Sequence, residues 1–228
     1  MLSYNVFLPS YSIGTDCYKQ IPYVTRKYGT KAVVIGGKTA MQKAKPELDN
    51  AIKDSNVEIL DYIWYGGDSN YENVEMLKKN KTIEQADMLF GVGGGRACDT
   101  VKTLADMLDK PFFTFPTLAS NCAACTAISV IYNPDGSFKE YYYMHGPSYH
   151  TFVNTKIIAD SPQNLLWAGI GDALSKECEV LFASREKFIY HTPLMGQCIS
   201  KVCTTPLIEY GSKALESCKK GEPDFALE

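Results

Sequence analysis

The 228-residue sequence predicts an α/β protein, a mostly parallel sheet with helices on both faces, followed by a segment of helices only. Three observations carry that prediction. Short apolar runs alternate with helix-periodic runs between Lys31 and Pro116. One of those runs, Met88 to Val92, passes through Gly93-Gly94-Gly95 into a helix. Beyond about residue 160 only helical periodicity remains, which places a domain boundary there: residues 1–160 as an α/β unit and 161–228 as a helical unit.

In order, residues 4–16 read as an extended or irregular opening, with Thr15 or Asp16 capping a short helix through Tyr28. Lys31 to Gly37 is a buried strand ending in glycines, and Thr39 to Ser55 a helix. Val57 to Trp64 alternates and is rich in Ile, Tyr and Trp, as a strand requires. A polar helix is expected from Tyr71 through Asn80 to Glu84, then the glycine-rich unit, then a strand from Phe112 to Pro116. Thr126–Tyr132 and Phe138–Tyr143 form a hairpin around Asn133-Pro-Asp-Gly136. Thr151–Val153 is a further strand. Asp160-Ser-Pro162 opens a helix to about His191, and another runs from Pro193 to Lys220. The final residues from Gly221 begin like one more capped helix. Residues 161–228 are too few to bury a core alone and must pack on something else.

Composition narrows the function classes. A net charge of −3 argues against a nucleic-acid partner. No run reaches the about 18 apolar residues of a membrane helix. Met1-Leu-Ser-Tyr-Asn5 has no basic stretch before an apolar core, so a cytoplasmic protein is expected, with its eight cysteines reduced.

The triple glycine carries the chemistry. Glycines adopt backbone angles that other residues avoid, and they let an anion reach the main chain. The free N–H groups of the following helix then face that anion, so a phosphate or pyrophosphate is the natural guest. In a parallel sheet the ligand sits at the carboxyl ends of the strands. Gly36-Gly37, Gly93–Gly95 and Pro116-Thr117 therefore converge on one crevice. The motif lacks the Gly-Lys-Ser/Thr of a P-loop, and Arg96 stands where Gly-x-Gly-x-x-Gly has its last glycine.

Four segments together resemble one family. They are Gly91-Val-Gly-Gly-Gly-Arg-Ala-Cys-Asp-Thr-Val-Lys102, Phe115-Pro-Thr-Leu-Ala-Ser120, Thr126-Ala-Ile-Ser-Val-Ile-Tyr132 with Asp135-Gly136, and Ala168-Gly-Ile-Gly-Asp-Ala-Leu174. In order and spacing they are similar to the iron-containing alcohol dehydrogenase superfamily, and within it the glycerol dehydrogenase branch. The resemblance implies a Rossmann-like domain and an all-helical domain in the dehydroquinate synthase-like architecture. It implies NAD or NADP, a catalytic divalent metal (Zn or Fe), and a small alcohol or polyol substrate in the cleft between the domains. A homo-oligomer is expected, without a nucleic-acid or membrane partner.

Carried over by position, the cofactor-binding residues would be Gly37, Gly93, Gly94, Gly95, Arg96, Asp99, Thr117, Ser120, Thr126, Ile128 and Tyr132. Asn121 and Cys122 would meet the substrate, and Asp172 would be the catalytic metal ligand. Hydride would leave an alkoxide carbon for the nicotinamide while the metal stabilises the alkoxide.

The chain departs from the family in three places. Its members run well beyond this length, and their two histidine ligands lie past residue 228, so a C-terminally truncated chain is expected. His145, His150 and His191 do not stand in those motifs. An aspartate usual in glycerol dehydrogenases is Cys122 here, which opens the substrate to other alcohols, aldehydes or phosphorylated polyols. At Gly37, where NAD-preferring members carry an acid, Gly36-Gly37-Lys38 has none, so NADP should be tolerated. Two alternatives stand beside this reading: a glycerol-1-phosphate dehydrogenase- or dehydroquinate synthase-like enzyme, and an inactive cofactor-binding fragment. Cys122-x-x-Cys125 reads as loop packing rather than a redox pair. His145, His150, Tyr141–Tyr143, Lys176 and Glu177 read as surface.

Overall fold

The computed structural model describes residues 7–185, 187 and 189–228. A six-stranded sheet contains β1 (Tyr11–Ile13), β2 (Lys31–Gly36), β3 (Glu58–Trp64), β4 (Met88–Gly93), β5 (Phe112–Pro116) and β8 (His150–Val153). Its order is β1-β8-β5-β4-β2-β3, and every pairing is parallel. The chain leaves β2 for β3 on one side and returns as β4 on the other. That reversal opens a crevice beyond the ends of β2 and β4.

Helices α1 (Ile21–Thr25), α2 (Lys38–Ile52), α3 (Tyr71–Lys78), α4 (Lys81–Gln85), α5 (Gly95–Met107) and α6 (Thr155–Ala159) cover the sheet. Strands buried on both faces need apolar side chains in both directions, and Ala32-Val33-Val34-Ile35 supplies them, all fully buried. Val34 packs with Met41, Leu48, Phe90, Phe113 and Phe115 on one face. Val33 and Ile35 pack with Val74, Leu77, Val101 and Leu104 on the other. Phe115 and Phe152 stack at 4.9 Å, and Tyr18 meets Phe115 edge-on at 5.2 Å.

A separate antiparallel hairpin, β6 (Ile128–Tyr132) with β7 (Phe138–Tyr143), stands beside α5. Two long helices follow, α7 (Gln163–Ser184) and α8 (Thr192–Lys220), packed on each other through Leu166, Ala214 and Cys218. No helix among the described residues is long and apolar enough to cross a membrane.

Several expectations need correction. The opening segment, expected to be extended or irregular, is more specific: it contains a strand. Tyr11–Ile13 pairs with β8, and Ser10 Oγ and Ser12 Oγ lie 2.7 and 2.8 Å from the two ring nitrogens of His150. His150 is therefore buried rather than a surface residue. Asp16 precedes a 3-10 turn (Cys17–Gln20), and its side chain caps nothing. The helix expected from Tyr71 to Glu84 is two helices. Asn80 interrupts it, because its carboxamide oxygen accepts from the Thr82 and Ile83 N–H groups and starts α4. Helix α6 lies where none was expected, capped by Asn154. Gly221 ends α8 in the left-handed conformation, and turns rather than a helix follow.

Helix α7 approaches the sheet unit very closely at Gly169. A Cβ there would stand 1.7 Å from the Ala119 carbonyl oxygen. Gly169→Ala should therefore destabilise the fold by about 1–3 kcal/mol, as overpacking does. Urea unfolding measures this, and an unchanged midpoint would contradict the contact.

His150 generates a second prediction. Burial lowers its pKa below the usual 6.5. Between the lowered value and the usual one, the unfolded chain binds a proton that the native state refuses, so stability falls as pH drops through that window. His150→Gln should flatten the stability loss between about pH 7 and pH 5. An identical slope in parent and variant would contradict it.

Candidate functional site

The end of β4 builds the centre of the site. Gly93 sits at φ +148, a conformation that side chains oppose, and its carbonyl accepts from the Thr117 N–H at 3.2 Å. Gly94 then serves as the N-cap of α5 with no side-chain cap. The first N–H groups of α5 thus have no intrahelical acceptor and open onto the crevice. A Cβ on Gly94 would come 2.8 Å from Leu118 Cδ1, so a side chain there would push the Leu118 methyl aside and enter the cradle.

A cavity of about 820 Å³ occupies that crevice. Gly37, Gly93, Gly94, Gly95, Arg96 and Thr117 line it, as the strand-end argument requires. Trp64, Tyr65, Leu118, Ile157 and Leu165 give it apolar and aromatic walls. Lys38 also lines it, with its ammonium 4.8 Å from the centre of the Trp64 ring. No acid stands at Gly37.

A second cavity, about 430 Å³, shares Gly95 and Arg96 with the first. Asp99, Asn121, Cys122, Thr126, Ile128, Tyr132 and Asp172 all line it. Residues from α5, the loop after β5, the hairpin and α7 therefore meet at one point. Of the residues assigned from sequence, Ser120 lines neither cavity. Its hydroxyl accepts from the Asn121 carboxamide, and its Cα lies against Gly169.

The electrostatics of the smaller cavity come from three pairs. The Arg96 guanidinium lies 3.3 Å from Asp68 and over the Tyr132 ring at 5.0 Å. Buried Asp99 lies 2.9 Å from the Lys102 ammonium, and its other oxygen accepts from the Val130 N–H. Burial dominates there and raises the Asp99 pKa, while Lys102 and the Val130 N–H pull it down. Asp172 is 3.1 Å from the Lys176 ammonium, which also holds Glu179 at 3.0 Å. Lys176 is thus a wall of the smaller cavity while its side chain stays partly exposed. An anionic substrate would call for free cations here, and both Arg96 and Lys176 already have acidic partners.

Asn121 folds over Gly95 and accepts from the Ala123 N–H at 3.0 Å. Cys122 is exposed and Cys125 partly buried, both as free thiols. Burial raises the pKa of Cys125, which keeps it protonated and unreactive.

Sequence reasoning missed Lys102, Asp68, and the Trp64 and Leu118 walls. Lys102 had one signal: a cation three residues after Asp99 on a helix face otherwise buried.

The dinucleotide reading fits this geometry, with a glycine cradle at the switch point and two cavities that share Gly95 and Arg96. Among the described residues a metal centre does not assemble. Among the described residues no group of three or more His, Cys, Asp or Glu side chains could hold an ion, and Lys176 engages Asp172.

Comparison with known proteins agrees with the fold and the motifs. The glycerol dehydrogenase of Escherichia coli O6:H1 is 30% identical over 224 residues, covering 96% of this chain and 60% of the relative. That of Thermotoga maritima is 35% identical over 168 residues, covering 72% of this chain and 46% of the relative. The chain thus spans about half to three-fifths of these relatives. The crystal structure of glycerol dehydrogenase from Schizosaccharomyces pombe superposes with a TM-score of 0.84 at 26% identity, over 99% of this chain and 59% of that one. The family model described as iron-containing alcohol dehydrogenase matches residues 9–152, and the chain belongs to that family.

Proposed function

We propose that this chain forms the dinucleotide-binding part of a metal-dependent, NAD(P)-linked oxidoreductase acting on the CH–OH group of a polyol or small alcohol, as glycerol dehydrogenases do. One observation carries the reading: two cavities share Gly95 and Arg96 as walls, one lying at the glycine cradle and the other at Asp172. A dinucleotide needs two such neighbouring sites, with its pyrophosphate between them. The first N–H groups of α5 bind the pyrophosphate there, helped by the helix dipole. The aromatic larger cavity takes the adenosine, and the smaller one takes the nicotinamide beside the substrate.

When bound, the nicotinamide accepts the hydride that leaves the alcohol carbon. The protein's part is placement. Asn121 offers a carboxamide to a substrate hydroxyl, Ile128 and Tyr132 exclude water from the transfer path, and Asp172 faces the reacting end. Asp172 is the first ligand proposed for a divalent metal, zinc or iron, and the described residues supply no further ligand set. Residues 1–160 form the nucleotide unit in this reading, and 161–228 belong to the helical unit that brings Asp172. A cytoplasmic homo-oligomer fits the exposed apolar residues of α7 and α8, among them Phe182, Val202 and Ile208.

Titration with NADH and NADPH tests this reading by fluorescence. Both should saturate, NADPH included, since Gly37 and Lys38 present no acid to its extra phosphate. Gly94→Asp should weaken both by tenfold or more, about 1.4 kcal/mol, by filling the cradle and repelling the pyrophosphate. Undiminished binding in a folded Gly94→Asp variant would move the cofactor elsewhere.

A further inference from the structure

Lys102 is fully buried, yet it lines neither cavity. A buried ammonium is tolerated only when its donors are satisfied. Its nitrogen donates to the Ile128 carbonyl at 2.5 Å, the Ala123 carbonyl at 2.7 Å and the Thr126 hydroxyl at 3.1 Å. The Thr126 carbonyl stands at 3.3 Å and Asp99 Oδ1 at 2.9 Å. All four residues that it touches, Asp99, Ala123, Thr126 and Ile128, are walls of the smaller cavity, and none belongs to the larger one.

The same loop is fixed from its other side. The Ala124 carbonyl accepts from the hydroxyls of Thr114 at 2.8 Å, Thr151 at 3.2 Å and Ser148 at 3.3 Å. Consecutive carbonyls are thus held in different directions, Ala123 toward α5 and Ala124 toward the sheet. Asn121 and Cys122 stand directly before this clamp, at the mouth of the cavity. On the helix side, Asp99 Oδ1 is buried and has no aligned hydrogen bond, so the Lys102 charge is what compensates it.

We propose that Lys102 is a positioning residue: it locks Asp99 and the 123–128 segment into one wall and thereby sets the pocket for the nicotinamide end of the dinucleotide. The proposal rests on the cofactor reading above. Because the polar partners of Lys102 are walls of the smaller cavity alone, its role predicts a split that general destabilisation would not produce. Loss of the ammonium should harm the nicotinamide end and spare the adenosine and pyrophosphate end.

The test compares NADH with ADP-ribose, which has both phosphates and lacks the nicotinamide. Lys102→Met keeps most of the apolar stem, one atom shorter, and removes the charge. Its ADP-ribose affinity should stay within about twofold of the parent, while NADH weakens about tenfold, the size expected when charged hydrogen bonds in a wall are lost. The dihydronicotinamide emission, which brightens when the ring leaves water, should stay dim in the variant. Circular dichroism reports whether Lys102→Met folds. If it does not, Lys102→Gln, which keeps a hydrogen-bond donor but loses the charge and the reach to the full clamp, decides by showing the same split at smaller size. Parallel weakening of both ligands, or no change in either, would overturn the positioning role. Failure of the parent chain to bind ADP-ribose would overturn the cofactor reading itself, and the proposal with it.

Discussion

The structure depends on one constraint, the close approach of main chain to main chain where β2 and β4 end. Gly36 faces the Val92 carbonyl so closely that a Cβ would stand 2.1 Å from its oxygen. The Gly37 N–H donates to that same carbonyl at 3.3 Å. Just beyond, Gly93 takes its positive φ and turns the chain into α5. Without side chains at these points, the two strand ends part just enough to leave a crevice floored by backbone N–H groups. Both cavities and the placement of Arg96 and Asp99 follow from that opening.

The helical hairpin is tied to this crevice through a second close approach. Gly169 sets α7 against the Ala119 carbonyl, and Asp172 lies three residues later, on the same face of the helix. A bulkier residue at 169 would lift α7 and carry Asp172 away from Arg96 and Asn121. Small residues thus decide where the charged ones stand, and Lys102 decides how firmly the loop between them is held.

Much of this was legible in the sequence. Strands buried on both faces are unbroken apolar runs, so Ala32–Ile35, Met88–Val92 and Phe112–Phe115 announced themselves. The triple glycine located the crevice because its conformational need is local. What was not legible depends on distant partners. Tyr11-Ser-Ile13 is too short to announce a strand; it becomes one by pairing with β8, where His150, 138 residues from Ser12, bonds Ser10 and Ser12. Asn80 splits a helix by capping, which periodicity does not register. Lys176 looked like an ordinary helix-surface cation until α7 was seen to stand over the smaller cavity. Asp172 entered through family resemblance, since nothing in its own segment says what it faces.

The most direct measurement is a crystal structure of this chain with NADH or ADP-ribose. The pyrophosphate should lie within hydrogen-bonding distance of the N–H groups of Gly94 and Gly95, with the adenine against Trp64 and Leu118. A dinucleotide bound with its phosphates away from the glycine turn, or reversed so that the adenine lies beside Asp172, would contradict it.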